Sequence, residues 1–252
     1  MTNDKIRVEN LSKSFGEFQV LDDISFSLEK GKSLVILGGS GTGKSVLIKN
    51  IIGLMDPDSG KIFIDDIDVT DFSEKKRFDL MRKIGFLFQG GALFDSMNIE
   101  DNITFYTSRL YNLSSLDKKD LAVKKLRSVG LHERILNLYP SELSGGMQKR
   151  AALARAICAD PEIIFFDEPT TGLDPIMSNV INDLIIKVKE ELGATTITIT
   201  HDMNSVMMIA DQISMLYQGK ILWNGTTAQI KKSKNEIIDQ FINGKIDGPI
   251  KV

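Results

Sequence analysis

Eight residues near the start of the chain constrain its fold more than any others. Residues 38–45 read GGSGTGKS and fit the pattern G-x-x-x-x-G-K-[ST]. The apolar run at residues 33–37 predicts a buried strand before them, and residues 46–52 predict a helix that ends near Gly53. A strand, a glycine loop and a helix in this order are the context in which the pattern forms a phosphate-binding loop.

The residue types in this loop suit a phosphate group. Glycines let the backbone approach an anion closely, and the N–H groups of the loop and of the helix start then face it. Lys44 offers a positive charge to the β- and γ-phosphates, and Ser45 offers a hydroxyl to Mg²⁺. A glycine-rich turn that binds nothing is the alternative, and the flanking strand and helix argue against it. The residues predicted to bind the nucleotide here are Gly38, Gly39, Ser40, Gly41, Thr42, Gly43, Lys44, Ser45 and Val46.

Length and composition exclude several classes of protein. The chain has 252 residues, enough for one large domain or two small ones, and its net charge of −3 gives no electrostatic case for a nucleic-acid partner. We expect neither a signal peptide nor a membrane span, because no apolar h-region follows the N-terminus and no apolar run approaches the required length. The single cysteine, Cys158, lies in an apolar helical run and is predicted to be a core residue in a reducing compartment.

Strand-like and helix-like segments alternate along the chain. Residues 163–166 and 195–200 predict buried strands, whereas residues 145–160 and 176–192 predict helices. This alternation predicts an α/β fold with a mostly parallel core sheet, together with an antiparallel β portion. The predicted organisation is one domain at residues 1–242, with an α-helical subdomain inserted at about residues 99–158, and a C-terminal tail at residues 243–252.

Shorter patterns predict the antiparallel part. Residues 5–10 alternate apolar and polar and predict an edge strand or a half-buried strand. Residues 61–69 predict a hairpin that turns at Asp65 and Asp66, since Asp tolerates a positive φ better than most residues. A second hairpin is predicted across Gln218 and Gly219.

Polar residues follow several predicted strands, at the end where open α/β sheets bind ligands. Asp167 is predicted to hold Mg²⁺, and Glu168 is predicted to act as the general base that polarises the attacking water. The Gln89 amide could reach both Mg²⁺ and that water, and His201 could donate to a γ-phosphate oxygen. The other histidine, His132, lies in polar helical surroundings and is predicted to be a surface residue.

A second helix start also suits a phosphate. Ser144 is a favourable N-cap, and Gly145 and Gly146 let an anion approach the first N–H groups of the helix that follows. One nucleotide seldom needs two such sites from one subunit. We therefore interpret the second site as serving a nucleotide bound to another copy of the chain, in a head-to-tail dimer.

In their order and spacing, these segments resemble the ATP-binding cassette of ABC transporters, a P-loop NTPase fold, over roughly residues 5–232. The segments are the loop at residues 38–45, Gln89, LSGGMQ at residues 143–148, FDEPT at residues 166–170, GLDP at residues 172–175 and THD at residues 200–202.

This resemblance implies roles for individual residues. It implies that Phe15 stacks on the adenine ring, that Asp174 couples the two sites of the dimer, and that the segment after Gln89 faces a membrane partner. The implied cofactors are ATP and Mg²⁺. The implied catalytic residues are Glu168, His201, Gln89 and Lys44, the Mg²⁺ ligands are Ser45, Gln89 and Asp167, and the residues that contact the opposite subunit's nucleotide are Ser144, Gly145, Gly146 and Gln148.

Three further segments, at residues 88–99, 146–150 and 241–250, resemble the ATPase subunits of Mla phospholipid-transport systems. The resemblance implies a peripheral ATPase on the cytoplasmic side of the inner membrane that drives phospholipid transport between the two membranes. Implied partners are a second copy of the chain, an MlaE-like permease, an MlaD-like lipid-binding protein and a STAS-domain MlaB-like protein. Gln148 departs from this pattern, because relatives often carry Arg there.

Other functions of the same cassette remain open at this point. A DNA-repair ATPase would need a long coiled-coil insertion before Ser144, and no sustained heptads occur there. A translation ATPase usually carries two cassettes in one chain. A non-hydrolysing scaffold would not need Glu168 and His201. An ABC ATPase that serves another small solute, such as amino acids, is the remaining alternative.

Overall fold

The computed structural model describes residues 3–251. The strands are β1 Asp4–Phe15, β2 Phe18–Glu29, β3 Ser33–Leu37, β4 Ser59–Ile64, β5 Ile67–Asp68, β6 Ile84–Leu87, β7 Ile163–Asp167, β8 Thr195–Thr200, β9 Gln212–Tyr217 and β10 Lys220–Gly225. The helices are α1 Lys44–Ile51, α2 Glu74–Met81, α3 Ile99–Tyr111, α4 Ser115–Ser128, α5 Gly145–Ala156, α6 Pro175–Leu192, α7 Met203–Ile209, α8 Thr227–Ile230 and α9 Glu236–Asn243.

The chain divides into two compact units. Among residues 3–251, the first unit comprises residues 3–28, 32–70 and 199–251, and the second comprises residues 29–31 and 71–198. The chain therefore passes from the first unit to the second and back twice. The predicted α/β class is confirmed, because parallel and antiparallel strand pairs occur together with helices.

The first unit contains two groups of strands. Four strands form an antiparallel sheet in the order β2-β1-β4-β5, and three strands follow the order β10-β9-β3. In the second group β3 and β9 are parallel while β9 and β10 form an antiparallel hairpin. All five residues of β3 are buried, so the loop that follows Leu37 starts from the centre of a core.

Both predicted hairpins are confirmed. Asp65 and Asp66 have φ values of 51° and 61°, and Ile64 pairs with Ile67. Two successive residues with positive φ match the right-handed twist of the flanking strands. Asp tolerates a positive φ better than most residues, so it can take the place of the usual glycine here. Lys5 is buried, and its Nζ lies 2.8 Å from Asp65 Oδ1, so the turn is also held by an ion pair.

The prediction that the first strand ends at Asn10 is wrong, because β1 continues to Phe15. Asn10 has a φ of 50°, and the register of β1 against β4 shifts between Glu9 and Ser12. Asn10 Nδ2 donates to Asp23 Oδ1 at 2.7 Å, and Asn10 N donates to Ser25 Oγ at 2.8 Å. These bonds satisfy the N–H groups of Asn10, and β1 continues beyond the β-bulge at this residue.

The second unit combines a short run of strands with most of the long helices. The strands follow the order β8-β7-β6, with residues 195–198 of β8 in this unit, and β6 and β7 are parallel. The helices α3, α4 and α5 pack on one another, and the helical segment predicted from about residue 99 contains them. Cys158 is buried as predicted, with its Sγ 3.3 Å from Thr107 Oγ1, whereas His132 is exposed as predicted.

Within residues 3–251, no helix combines the length and the apolar character that a membrane span requires.

Candidate nucleotide site

The loop between β3 and α1 requires glycine at two positions for different reasons. A Cβ on Gly38 would lie 2.5 Å from the Leu216 carbonyl oxygen, because β9 runs beside the loop. Gly43 has a φ of 100°, and a Cβ there would lie 2.9 Å from the Val20 carbonyl oxygen. Position 43 therefore requires glycine for two reasons, the positive φ of its backbone and the lack of space beside β2.

Lys44 is the first residue of α1, and its side chain turns back over the loop. Nζ donates to the carbonyl oxygens of Gly38 at 2.8 Å and Gly39 at 2.7 Å, and the residue is buried. These bonds keep the ammonium group beside the backbone N–H groups that are predicted to bind phosphate. From this position Nζ could donate to a phosphate oxygen without a large movement.

Two further predicted site residues lie in the same unit as this loop. Phe15 closes β1 and is 49% exposed, and the next residue, Gly16, turns the chain with a φ of 60°. His201 is exposed between β8 and α7, and α7 packs against β3, the strand that leads into the loop. An exposed aromatic face and an exposed imidazole are available for the roles predicted for them.

The second unit carries the predicted carboxylates and Gln89. The strands β6 and β7 are parallel and in register, with Leu87 opposite Phe166. Because both strands end at this level, Gln89 and the pair Asp167 and Glu168 emerge at the same edge of the sheet. The structure therefore brings these three predicted site residues together, although they are about eighty positions apart in the sequence.

Glu168 has an unusual backbone conformation for a carboxylate residue. Its φ is 46°, and its side chain is 8% exposed. Thr171 Oγ1 donates to Glu168 Oε2 at 3.2 Å. Residues other than glycine adopt this left-handed region at a cost, and such residues cluster at functional sites. The strained turn, together with the threonine hydroxyl, fixes the direction of the carboxylate.

The helix α5 begins as predicted, with Ser144 as its N-cap. The Met147 N–H donates to Ser144 Oγ at 3.4 Å. A Cβ on Gly146 would lie 2.6 Å from Met177 Cε, and nothing lies within 4 Å of a Cβ on Gly145. Gly145 therefore leaves open space over the first N–H groups of α5, which is the space an anion would need.

Two predicted site residues have structural partners of their own. Asp174 is the N-cap of α6, and its Oδ1 accepts from the N–H groups of Ile176 and Met177, both at 2.9 Å. Gln148 Nε2 donates to the Pro140 carbonyl at 2.8 Å. Both residues thus stabilise local structure. Dimer coupling by Asp174 and nucleotide contact by Gln148 stay predictions.

Sequence reasoning missed a buried lysine at this site. Lys149 on α5 is only 6% exposed, and its Nζ donates to the carbonyl oxygen of Gln89. Burial lowers the pKa of this ammonium group, while the charges of Asp167 and Glu168 act in the opposite direction. A lysine in a polar helix start gives no periodic signal of burial, so only the structure identifies it.

The strand, glycine loop and helix, with carboxylates at a strand end and a serine-glycine helix start, define the ATP-binding cassette. A family model described as "ABC transporter" matches residues 21–171, and the chain belongs to this family as an ATP-binding subunit.

Two relatives resemble nearly the whole chain. The intermembrane phospholipid transport system ATP-binding protein MlaF of Haemophilus influenzae is 39% identical over 251 residues, which is 100% of this chain and 95% of that protein. The probable ribonucleotide transport ATP-binding protein mkl of Mycobacterium leprae is 38% identical over 245 residues, which is 97% of this chain and 70% of that protein. The predicted resemblance to Mla-type ATPase subunits is confirmed.

Solved structures resemble the fold closely. The dimeric ATP-binding cassette MJ0796, in a post-hydrolysis state bound to ADP and Pi, superimposes with a TM-score of 0.81 and 31% identity over 88% of this chain and 98% of that chain. That neighbour's ligands, an adenine nucleotide and phosphate, belong to the class predicted for the loop after β3.

Proposed function

We propose that two copies of this chain close around two MgATP, hydrolyse ATP and drive phospholipid transport through a membrane permease. The observation that carries the proposal is the presence of two candidate phosphate-binding sites in one chain. One is the loop that ends at Lys44 and Ser45, and the other is the start of α5 at Ser144 and Gly145. In a head-to-tail pair, each nucleotide takes the loop from one copy and the helix start from the other.

Each of the predicted site residues has a separate role in ATP hydrolysis. Glu168 holds the attacking water and accepts its proton, and Gln89 emerges beside it to orient that water. Lys44 and His201 donate to the phosphoryl oxygens as negative charge develops on them. In the opposite copy, the N–H groups that follow Ser144 complete the set of donors.

The ligands proposed for Mg²⁺ suit that ion. No group of three or more His, Cys, Asp or Glu residues among residues 3–251 could hold a metal by itself. Mg²⁺ in nucleotide enzymes needs only one or two carboxylates, since phosphates and waters supply the remaining oxygens. Ser45, Gln89 and Asp167 offer a hydroxyl, an amide oxygen and a carboxylate. The bound ion would neutralise phosphate charge in the reaction.

Similarity to an intermembrane phospholipid transport ATPase supports phospholipid as the cargo. The MlaF protein of Haemophilus influenzae is 39% identical over 100% of this chain, and the Mla-like segments at residues 88–99, 146–150 and 241–250 agree with it. An MlaF-like role places the chain at the cytoplasmic side of an inner membrane. Its partners there would be an MlaE-like permease, an MlaD-like lipid-binding protein and a STAS-domain MlaB-like protein.

The second unit has an apolar cavity that suits the permease. The cavity of about 300 Å³ is lined mainly by residues of α2, β6, α3 and α5 and includes Phe86, Phe88 and Tyr106. Phe88 is 43% exposed and directly precedes Gln89, the residue predicted to contact Mg²⁺ and the attacking water. A helix of the permease inserted here would touch the segment that responds to ATP.

Affinity capture of the tagged full chain from detergent-solubilised native membranes tests the proposal. Co-isolation of a permease with a lipid-binding protein, together with ATP-dependent phospholipid transfer in the reconstituted complex, is the expected result. Phe88→Ser should reduce capture of the permease, whereas Phe18→Ser, at an exposed position in the first unit, should not. ATP-dependent movement of ribonucleotides with no movement of phospholipid would contradict the cargo assignment.

A further inference from the structure

One face of α5 holds the backbone of the segment at residues 89–92. Lys149 Nζ donates to the Gln89 carbonyl oxygen. Arg155 Nη2 donates to the Gly91 carbonyl at 2.6 Å, and Arg155 Nη1 donates to the Ala92 carbonyl at 2.7 Å. Three of the four carbonyl oxygens in this segment thus accept hydrogen bonds from cations on a single helix.

Direct packing fills the space between the two cations. A Cβ on Gly91 would lie 3.3 Å from Ala152 Cβ, so the backbone of the segment rests on the helix. Lys149, Ala152 and Arg155 are spaced by three residues and therefore share one face of α5. The small alanine lets the segment approach, and the two long side chains reach around it.

The surroundings of Lys149 strengthen its bond to Gln89. The side chain is buried, so water competes little for the Gln89 carbonyl. The carboxylates of Asp167 and Glu168 lie close enough to interact electrostatically with the ammonium group. A charged donor in such surroundings forms a stronger hydrogen bond than a neutral donor in water. Lys149 therefore connects the Gln89 segment, the two carboxylates and α5.

We propose that Lys149 and Arg155 are positioning residues that hold the Gln89 segment to α5, so that this segment moves together with the Ser144 end of the helix. The inference rests on the proposed function, because the closing of two copies around bound ATP is the process that would use this movement. Binding of a nucleotide at Ser144 would then be transmitted to Gln89 in the same copy. Neither residue needs to touch the nucleotide.

Hydrogen exchange of the purified full chain without nucleotide tests the holding role. The variants are Lys149→Met and Arg155→Met, and the matched control is Arg150→Met, since Arg150 Nη1 also donates from α5 to a backbone carbonyl, that of Gly130, at 3.1 Å. Each test variant should speed exchange in peptides covering residues 87–94 by about tenfold, the scale set by the loss of one charge-assisted bond. The control should leave those peptides unchanged, and Lys149→Arg should restore slow exchange.

ATP turnover provides the readout that a merely structural role would not change. Lys149→Met should lower kcat about tenfold while KM for ATP stays within about twofold, since a lost positioning contact acts on the reaction step. If Lys149→Met or Arg155→Met fails to fold, Lys149→Gln and Arg155→Gln replace them. Unchanged exchange at residues 87–94, or the same change in Arg150→Met, would overturn the proposal.

The two proposals can fail separately. The exchange measurement needs no hydrolysis, so faster exchange in the test variants supports the holding role even if the wild-type chain proves to have no ATPase activity. A wild-type chain without ATPase activity would count against the proposed function alone. Normal kcat in a variant whose segment exchanges faster would show that the movement of Gln89 is not used in turnover, and would overturn the positioning role.

Discussion

Leu87 and Phe166 are register partners in the parallel pair of β6 and β7. This single pairing sets the level at which both strands end, and so it places Gln89 beside Asp167 and Glu168. If one strand slipped by one residue, its side chains would move to the opposite face of the sheet relative to its partner. The burial of Leu87 and Phe166 opposes such a slip. The candidate site in this unit therefore depends on the core of the sheet as much as on its own polar residues.

Replacement of the proposed general base should separate binding from turnover. We expect Glu168→Gln to bind ATP with an affinity within about threefold of wild type and to lower kcat by at least about 100-fold, the usual contribution of a general base. Equilibrium binding and steady-state ATPase assays on the same preparation give both values. Glu190→Gln, an exposed position on α6, is the matched control. A near-normal kcat in Glu168→Gln would remove Glu168 from the mechanism.

Loss of the loop lysine should act on binding. Lys44→Ala removes an ammonium group that is held beside the loop by the carbonyls of Gly38 and Gly39. We expect ATP affinity to fall by about 10- to 100-fold, which corresponds to about 1.4 to 2.7 kcal/mol, the range of a charge-assisted bond. Isothermal titration with ATP measures the change. Lys49→Ala, exposed on the same helix, should bind as wild type does, and equal affinities in the two variants would contradict the assignment.

Two glycines with positive φ should differ in their tolerance of alanine. Gly43→Ala incurs both backbone strain and a contact of 2.9 Å with the Val20 carbonyl, whereas Gly193→Ala at a φ of 61° has nothing within 4 Å of the new Cβ. The clash should make Gly43→Ala less stable than Gly193→Ala by about 1–3 kcal/mol, the usual cost of overpacking. Urea unfolding of both variants measures the difference. Equal stabilities would mean that β2 does not press against the loop.

The cysteine should react slowly in the native protein. Burial raises the pKa of the Cys158 thiol, and although the hydrogen bond with Thr107 acts in the opposite direction, burial is the larger effect. A raised pKa leaves less thiolate at a given pH. We expect reaction with an aromatic disulfide reagent at pH 8 to be at least about tenfold slower than for a free thiol. The same chain in urea is the control, and equal rates would contradict the burial of Cys158.

Much of the fold is predictable because its signals are local. The hairpin at Asp65 and Asp66 follows from turn chemistry, and the strand at residues 195–200 follows from its β-branched residues. The continuation of β1 past Asn10 was not predicted, because a bulge held by the side chains of Asp23 and Ser25 depends on a neighbouring strand. Periodicity within one segment contains no information about that neighbour.

The residues of the candidate site also differ in how far the sequence alone predicts their roles. Lys44 and Ser144 lie in glycine-rich patterns whose spacing indicates their chemistry. Lys149 and Arg155 look like ordinary surface cations of a helix, and their partners are backbone carbonyls about sixty positions away. A backbone acceptor carries no side-chain signature, so the sequence alone could not pair it with either residue. The spacing of two cations around Ala152 is the one local hint.

The contacts of α5 with residues 89–92 have a consequence for protein engineering. A chimeric cassette could be made by replacing residues 89–92 with the corresponding segment of a homologue. If that segment had a different length, its carbonyl oxygens would no longer lie where Lys149 and Arg155 donate in this chain. Successful grafts should therefore carry the loop and the helix across together, as one exchangeable module.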